Sequence, residues 1–354
     1  ILFALGVPIA VSILLASVIG IEFFTRFPLL MVPQQMFVGI DNFPLMAIPF
    51  FILAGNLMAA GGISQRLVDL AKSIVGGLQG GLAMTCVLTC MMFAAVSGSS
   101  VATTFAIGSI LIPAMVAHDY PRPLAASIQA SSAELGVLIP PSIPLILYGV
   151  STDTSIGRLF IAGIGPGLLI GSALLLFLYI FCKLRGYGLR DREDRAAFTT
   201  SMRRAWAALL MPVVVIGGIY GGVFTPTEAS AVAVFYALIV GGLVYRELPL
   251  SELVPILRQS VISTATVMLI ISAAALFSFL ISRSGLPGDV AAWVTQVFES
   301  PVSFLLAVNV MLLVIGMFVE TSAAILVLAP IFTPIAVQYG IDPVHFGLIV
   351  VVNL

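Results

Sequence analysis

Two short runs of small polar residues interrupt otherwise apolar sequence: Ser97-Gly98-Ser99-Ser100, followed closely by Thr103, and Glu320-Thr321-Ser322. Hydroxyls, a carboxylate and the backbone carbonyls that such breaks release make an all-oxygen donor set, which suits a hard cation. Helices beginning at these runs would also offer free amides and the positive end of a dipole to an anionic solute. Glu320 is flanked on both sides by uncharged sequence, Pro301–Val319 and Thr321–Ile341. A carboxylate inside a bilayer costs about 2.5–3.5 kcal/mol or more, so Glu320 is expected to face protein, water or a cation. The plainer alternative puts it in a loop at the membrane surface.

A third polar stretch, Ser131, Ser132, Glu134 and Gly136, comes just before Ile139-Pro140-Pro141-Ser142. The proline pair must break a helix and release the carbonyls of Gly136 and Val137. Those carbonyls, with the hydroxyls of Ser131, Ser132 and Ser142, could complete a pocket around the first run. For Glu134, a simple kink with the carboxylate at a helix–helix contact fits equally well.

Other chemistries find little support. An intramembrane serine hydrolase built on Ser97-Gly98-Ser99 would need a base within hydrogen-bond reach. The only histidines are His118 and His345, each beside a turn signal (Asp119-Tyr120-Pro121 and Asp342-Pro343). No phosphate loop or dinucleotide fingerprint is present. Cys86, Cys90 and Cys182 lie in apolar runs, where a thiol behaves as a small hydrophobe. No enzyme activity, resident cofactor or nucleic-acid partner is expected.

Composition determines what holds these residues. Hydrophobic residues are 60% of the 354 and charged ones 9%, with a mean hydropathy of +1.18. A soluble domain needs about 25% charged residues to cover its surface, so much of this one must face a lipid bilayer. A membrane-crossing helix takes roughly 20 apolar residues. The uncharged stretches Asn42–Gln65, Leu159–Cys182, Ala205–Thr227, Gln259–Ser282 and Pro301–Val319 qualify or nearly do. Ala229–Tyr245 is a shorter candidate and Ile1–Gly20 a first span. Ser73–His118 is uncharged and long enough for two spans, with the first polar run at its middle. Ser and Thr hydroxyls could bond back to helix carbonyls there. Their density favours a re-entrant hairpin tip, whose open backbone survives at membrane depth only against protein or a water-filled cavity.

Lys183, Arg185, Arg190, Arg192, Arg195, Arg203 and Arg204 cluster between two spans, a bias expected of a cytoplasmic loop. That loop, 183–204, divides the chain into a first half, 1–182, and a second, 205–354. The halves echo each other. Ser100–Ile107 ahead of Pro113 parallels Thr321–Leu328 ahead of Pro334, and the interval from Ser100 to Thr321 equals that from Pro113 to Pro334. After a glycine-marked turn, Ile63–Val75 spaces Arg66, Asp69 and Lys72 as an amphipathic interfacial helix would, with Gly288–Phe298 as its counterpart. Two related halves with interrupted spans at corresponding places point to a secondary transporter, an all-α polytopic membrane protein.

Several motifs resemble one family in order along nearly the whole chain: Val32-Pro33-Gln34-Gln35-Met36-Phe37, Asp41-Asn42-Phe43-Pro44 through Gly55, the Ser97–Ser100 tip, Ile139-Pro140-Pro141-Ser142, and Gly316-Met317-Phe318-Val319-Glu320-Thr321-Ser322-Ala323-Ala324-Ile325. The sequence is similar to the large membrane subunits of TRAP transporters, the tripartite ATP-independent periplasmic transporters. That resemblance implies two inverted repeats, each with a re-entrant hairpin, in an elevator-type fold with a scaffold and a transport domain. It implies sodium-driven import of an organic acid, a C4-dicarboxylate, sialic acid or related carboxylate, across a bacterial inner membrane. The implied partners are a small four-helix membrane subunit and a periplasmic solute-binding protein.

The implied ion and solute residues are Ser97, Gly98, Ser99, Ser100, Thr103, Ser131, Ser132, Glu134, Gly136, Pro140, Pro141, Ser142, Glu320, Thr321, Ser322 and Asn353, with sodium on Ser99, Ser100, Glu320 and Thr321. Asn353 resembles the start of a second intramembrane segment, so the remaining spans are expected after Leu354. The main alternative is a non-transporting membrane scaffold subunit. A passive channel would need polar residues along a whole pore rather than at two tips.

Overall fold

A computed structural model describes Leu2 and residues 5–189 and 198–354. Arg190, Arg192 and Arg195 of the expected basic loop, and residues 1, 3 and 4 of the expected first span, lie outside the described residues. Seventeen α-helices follow one another, with no strand among the described residues. Helices α1 (Ile9–Phe24), α2 (Met31–Ile40), α3 (Ala47–Ala60) and α4 (Ile63–Val75) lead to α5 (Gly81–Ser97) and α6 (Ser100–Ala117). Then come α7 (Arg122–Ala133), α8 (Leu135–Leu138), α9 (Ile143–Ser151), α10 (Ile156–Arg185), α11 (Phe198–Tyr220) and α12 (Pro226–Ile239). The chain continues with α13 (Leu250–Ser284), α14 (Leu286–Val297), α15 (Pro301–Gly316), α16 (Thr321–Gln338) and α17 (Pro343–Asn353).

Local signals explain many of the boundaries. Helices α12, α15 and α17 each start with an oxygen-bearing cap followed by proline: Thr225-Pro226, Ser300-Pro301 and Asp342-Pro343. The cap's side chain accepts from orphan amides of the first turn, while proline gives up an N–H that had no partner anyway. Left-handed Gly62 and Gly80 immediately precede α4 and α5.

Among the described residues, seven helices are long and apolar enough to cross a membrane, or up to nine if each of two bent pairs is one span. Large apolar side chains such as Leu169, Phe235 and Leu306 are exposed on these helices. Such a surface belongs in lipid, so the chain is a multi-span membrane protein.

The longest helices outrun the uncharged stretches that announced them. Helix α10 has 30 residues and α13 has 35, the latter extending through Glu252 and Arg258. At 1.5 Å per residue α13 is roughly 52 Å long, more than the hydrocarbon core of about 30 Å. Glu and Arg are good helix formers, so a helix runs on through them into the interface. The expected first span is shifted and short, because Pro8 caps a helix that begins at Ile9. Helices α14 and α15 bend by 115° across their junction.

The chain forms two compact units, which interleave along the sequence instead of following its halves. The first comprises Ile1–Met46, Pro144–Leu159 and Ile262–Leu354; the second comprises Ala47–Ile143 and Phe160–Val261. Within the second unit α5 is central, packed on α3, α4, α6, α7, α8 and α11. Its side chains are buried almost from end to end, which suits a helix apolar all round. Helix α4 has the bounds its charge spacing predicts, and its apolar face (Ile63, Leu67, Leu70, Ala71) is buried, the helix packing on α5 and α11. Within the first unit α15, α16 and α17 pack on one another.

Candidate functional site

Both polar runs are helix starts. In the second unit α5 ends at Ser97, Gly98 turns the chain with φ +63°, and Ser99 caps α6, its hydroxyl accepting from the Ala102 amide at 3.4 Å. In the first unit Glu320 caps α16, its Oε2 accepting from the Ala323 amide at 3.1 Å. The interval between the starts of α6 and α16 (Ser100 to Thr321) is the same as that between their ends (Ala117 to Gln338). Capping residues and capped amides keep this interval too, and so do the internal prolines Pro113 and Pro334. Both are broken helices whose second half presents its amide end at the break, where an anion or a dipole-bearing solute is favoured.

The first tip is tightly closed. Thr103 Oγ1 donates to the Ser99 carbonyl at 2.8 Å, so in the 3.1 Å pair with Ser97 Oγ it is Ser97 that donates. Both side chains are buried. The proline segment folds over this turn: the Ile143 amide donates to the Gly98 carbonyl at 3.0 Å, and Ser142 Oγ donates to the Val137 carbonyl. A Cβ on Gly98 would lie 2.5 Å from the Pro141 carbonyl oxygen, and one on Gly136 would lie 3.0 Å from that of Ser99. Ser97, Gly98, Ser99, Thr103, Gly136, Pro141 and Ser142 therefore form one cluster, with Pro140 buried beside them. Ser99 and Ser100 are half-buried, and the Ser100 hydroxyl makes no hydrogen bond among the described residues.

The remaining residues of that stretch differ in exposure. The Ser132 hydroxyl donates at 2.6 Å to the Ile128 carbonyl of its own helix, and Ser131 and Glu134 are exposed where α7 ends. Gln129 on α7, which sequence reasoning missed, reaches the first tip. Its Nε2 donates to the Thr103 carbonyl at 3.4 Å and to Cys90 Sγ at 3.7 Å, while Cys86 Sγ donates to its Oε1 at 3.0 Å.

The second tip carries charge and is more open. Exposed Glu320 accepts from Ser322 Oγ at 2.7 Å on Oε1, besides the amide on Oε2. Thr321 Oγ1 donates to the Leu354 carbonyl at 3.1 Å, so the end of α17 lies against the start of α16. Asn353 Nδ2 donates at 2.7 Å both to Asn309 Oδ1 and to the Ile349 carbonyl. Asn309, in the middle of α15, was also missed. A lone carboxamide in an apolar helix was the available signal for Asn309, while Gln129 sits among other polar residues of α7 and had none.

Beside this tip an apolar cavity of about 410 Å³ is lined by Ile9, Ile13, Phe277, Val319, Ala323 and others. It offers almost nothing to a charged solute, so the polar groups at this tip are Glu320, Thr321, Ser322 and Asn353. The carboxylate, the two hydroxyls and the Asn353 carbonyl oxygen are donors of the kind a hard cation requires, while the Asn353 nitrogen is turned to other partners.

Comparison with known proteins gives this arrangement a family. The family described as "Tripartite ATP-independent periplasmic transporter, DctM component" matches residues 1–354. The isethionate TRAP transporter permease DctMQ of Oleidesulfovibrio alaskensis is 46% identical over 351 residues, 99% of this chain and 55% of that protein. The C4-dicarboxylate TRAP transporter large permease DctM of Pseudomonas aeruginosa is 47% identical, over 90% of this chain and 75% of that one. The sialic acid large permease SiaM of Vibrio cholerae is 40% identical over all of this chain and 82% of its own length. The chain thus spans about half of the first relative and more of the others. Among solved structures, the YdaH transporter of Alcanivorax borkumensis shares the fold, with a TM-score of 0.67 over 99% of this chain and 85% of that one at 16% identity. The chain belongs to the family of DctM components, the large permeases of tripartite ATP-independent periplasmic transporters.

Proposed function

We propose that this chain is the membrane-crossing part of a sodium-coupled importer for an organic acid anion. The observation that carries the reading is the pair of capped half-helices, α6 and α16, equal in length and matched in the placement of cap, capped amide and internal proline. Such paired interruptions are how secondary transporters present helix ends and freed carbonyls to ions and solutes. Sodium is a transported ion here, held by oxygens of Ser99 and Ser100 at one tip and of Glu320 and Thr321 at the other. The solute's carboxylate takes the helix amide ends and remaining hydroxyls. Relatives named for isethionate, C4-dicarboxylate and sialic acid support an acidic solute.

In this reading 1–182 and 205–354 are inverted repeats, and the basic loop 183–204 lies in the cytoplasm of a bacterium whose inner membrane holds the protein. The tips travel with a transport domain that slides against a scaffold. Partners are a small four-helix membrane subunit, which the longer DctMQ permease supports, and a periplasmic binding protein that delivers the solute.

Proteoliposomes holding the full-length permease and its small subunit test this. Radiolabelled solute should accumulate only with an inward sodium gradient and the binding protein present. Passive equilibration without sodium would overturn the coupling, and absence of any flux would favour a scaffold.

A further inference from the structure

The Asn353 carboxamide is oriented by two acceptors, a backbone carbonyl and an amide oxygen. The Ile349 carbonyl accepts from its Nδ2 at 2.7 Å, and Asn309 Oδ1 accepts from the same nitrogen at 2.7 Å. Asn309 in turn has no freedom to flip, because its own Nδ2 donates to the Leu305 carbonyl at 2.7 Å. Reversing either amide would set oxygen against oxygen. The chain of constraints therefore runs from a backbone carbonyl of α15 through Asn309 to Asn353. Both N–H groups of Asn353 are spent, and its Oδ1 accepts no hydrogen bond among the described residues.

The placement makes this more than a helix contact. Thr321 Oγ1, one residue from Glu320, is bonded to the Leu354 carbonyl. A Cβ on Gly316 would lie 3.3 Å from the Asn353 carbonyl oxygen, so the glycine lets the end of α17 sit close against the end of α15. Asn353 thus belongs to the tip, and Asn309 lies one contact behind it.

We propose that Asn309 is a positioning residue for the second tip, holding the Asn353 carboxamide so that its carbonyl oxygen is kept for a monovalent cation alongside the Glu320 carboxylate. This rests on the reading of the tip as a sodium site. Asn309 touches neither ion nor solute; it acts by removing the amide orientation in which Asn353 would present N–H groups to a cation. Outer partners of this sort, when removed, typically weaken metal affinity by about 10–100-fold.

The test is sodium binding by the purified full-length permease, read as the sodium-dependent rise in melting temperature with choline as the control ion. Asn309→Leu and Asn309→Ala both remove the acceptor and should raise the half-saturating sodium concentration by about tenfold or more. Asn309→Asp keeps an oxygen facing Asn353 and should bind sodium at least as tightly as the wild type. A structural role alone would shift the melting temperature in choline and leave the sodium half-saturation untouched. Wild-type half-saturation in Asn309→Leu or Asn309→Ala would overturn the role of Asn309 while leaving the sodium reading intact. A wild-type protein that gains no stability from sodium would overturn both.

Discussion

The two tips share a helical frame and differ in chemistry. At the first, the turn at Gly98 is sealed by the Pro140–Ser142 segment, and the buried hydroxyls of Ser97 and Thr103 are spent on one another and on a carbonyl. At the second, a carboxylate caps the helix, the turn before it runs through Met317 to Val319 without a left-handed residue, and the partner helix α17 contributes a carboxamide. The frame is shared in that α6 and α16 have the same length and the same placement of cap and proline. The side chains are free to diverge on it. In the proposed function, a close-packed tip would select its ligand by geometry. A charged, open one would select it by electrostatics, which in a bilayer is the stronger lever.

The largest difference should appear on adding a methyl group to each turn. Gly98→Ala forces an L-residue into the left-handed region and drives its Cβ to 2.5 Å from the Pro141 carbonyl oxygen, a backbone atom that cannot swing away. Strain and overpacking together should cost about 2–4 kcal/mol, with loss of uptake and a lower melting temperature in detergent. Gly316→Ala ends a right-handed helix, and its Cβ would lie 3.3 Å from the Asn353 carbonyl oxygen. The gain of about 1 kcal/mol in helix propensity largely offsets that crowding, so stability should change little. Equal losses in the two variants would break the contrast between a sealed and an open tip.

Next in size is the charge. Glu320→Ala removes cap and carboxylate together and should abolish uptake, with about 1 kcal/mol lost from helix α16. Glu320→Gln retains an oxygen for the Ala323 amide, so melting should recover while uptake does not. Wild-type uptake in Glu320→Gln would show that the carboxylate serves only as a cap. Ser99→Ala loses a weaker cap, the bond being 3.4 Å. It should reduce uptake with less effect on stability than Glu320→Ala.

Much of this contrast is legible before any coordinates. The starts of α6 and α16 and the bounds of α4 follow from polar residues set in apolar sequence and from charge spacing, signals that are local. What sequence hides is non-local. That Gln129 reaches Thr103 and Cys90 while neighbouring Ser132 satisfies itself within its helix depends on which face of α7 meets α5 and α6. Asn309 is an isolated polar residue until α17 folds back beside α15. For Glu134 the residue type and its proline-rich surroundings allow either a pocket or a helix–helix contact, and sequence alone does not reveal that it is exposed where α7 ends. The 115° turn between α14 and α15 escaped as well, because an uncharged stretch says how much chain is apolar and not where it bends.

The smallest effect lies where the halves differ outside the tips. Helix α7 is preceded by Pro121, and at the corresponding place in the second half α17 is preceded by Asp342. Proline has no side chain to titrate. Asp342 Oδ1 accepts from the Val344 amide at 2.8 Å and the His345 amide at 3.4 Å, and Oδ2 lies 3.3 Å from an Arg158 guanidinium nitrogen. The Val344 amide above all, then the His345 amide and Arg158, hold this carboxyl below its ordinary value of 3.8. A lowered folded-state pKa means the cap contributes fully above that ordinary value and is lost as pH falls through the folded one. Acid should therefore speed amide hydrogen exchange in the first turn of α17, beyond the intrinsic pH dependence, and leave α7 unchanged. Because Asp342 is well exposed, water screens the pair with Arg158 and the change should be modest. Asp342→Asn keeps an oxygen for the amides and loses the titration, so its α17 exchange should show no added acid step. An equal acid response in α7 and α17 would mean the two helix starts are held alike, and the asymmetry between the halves would then be confined to the tips.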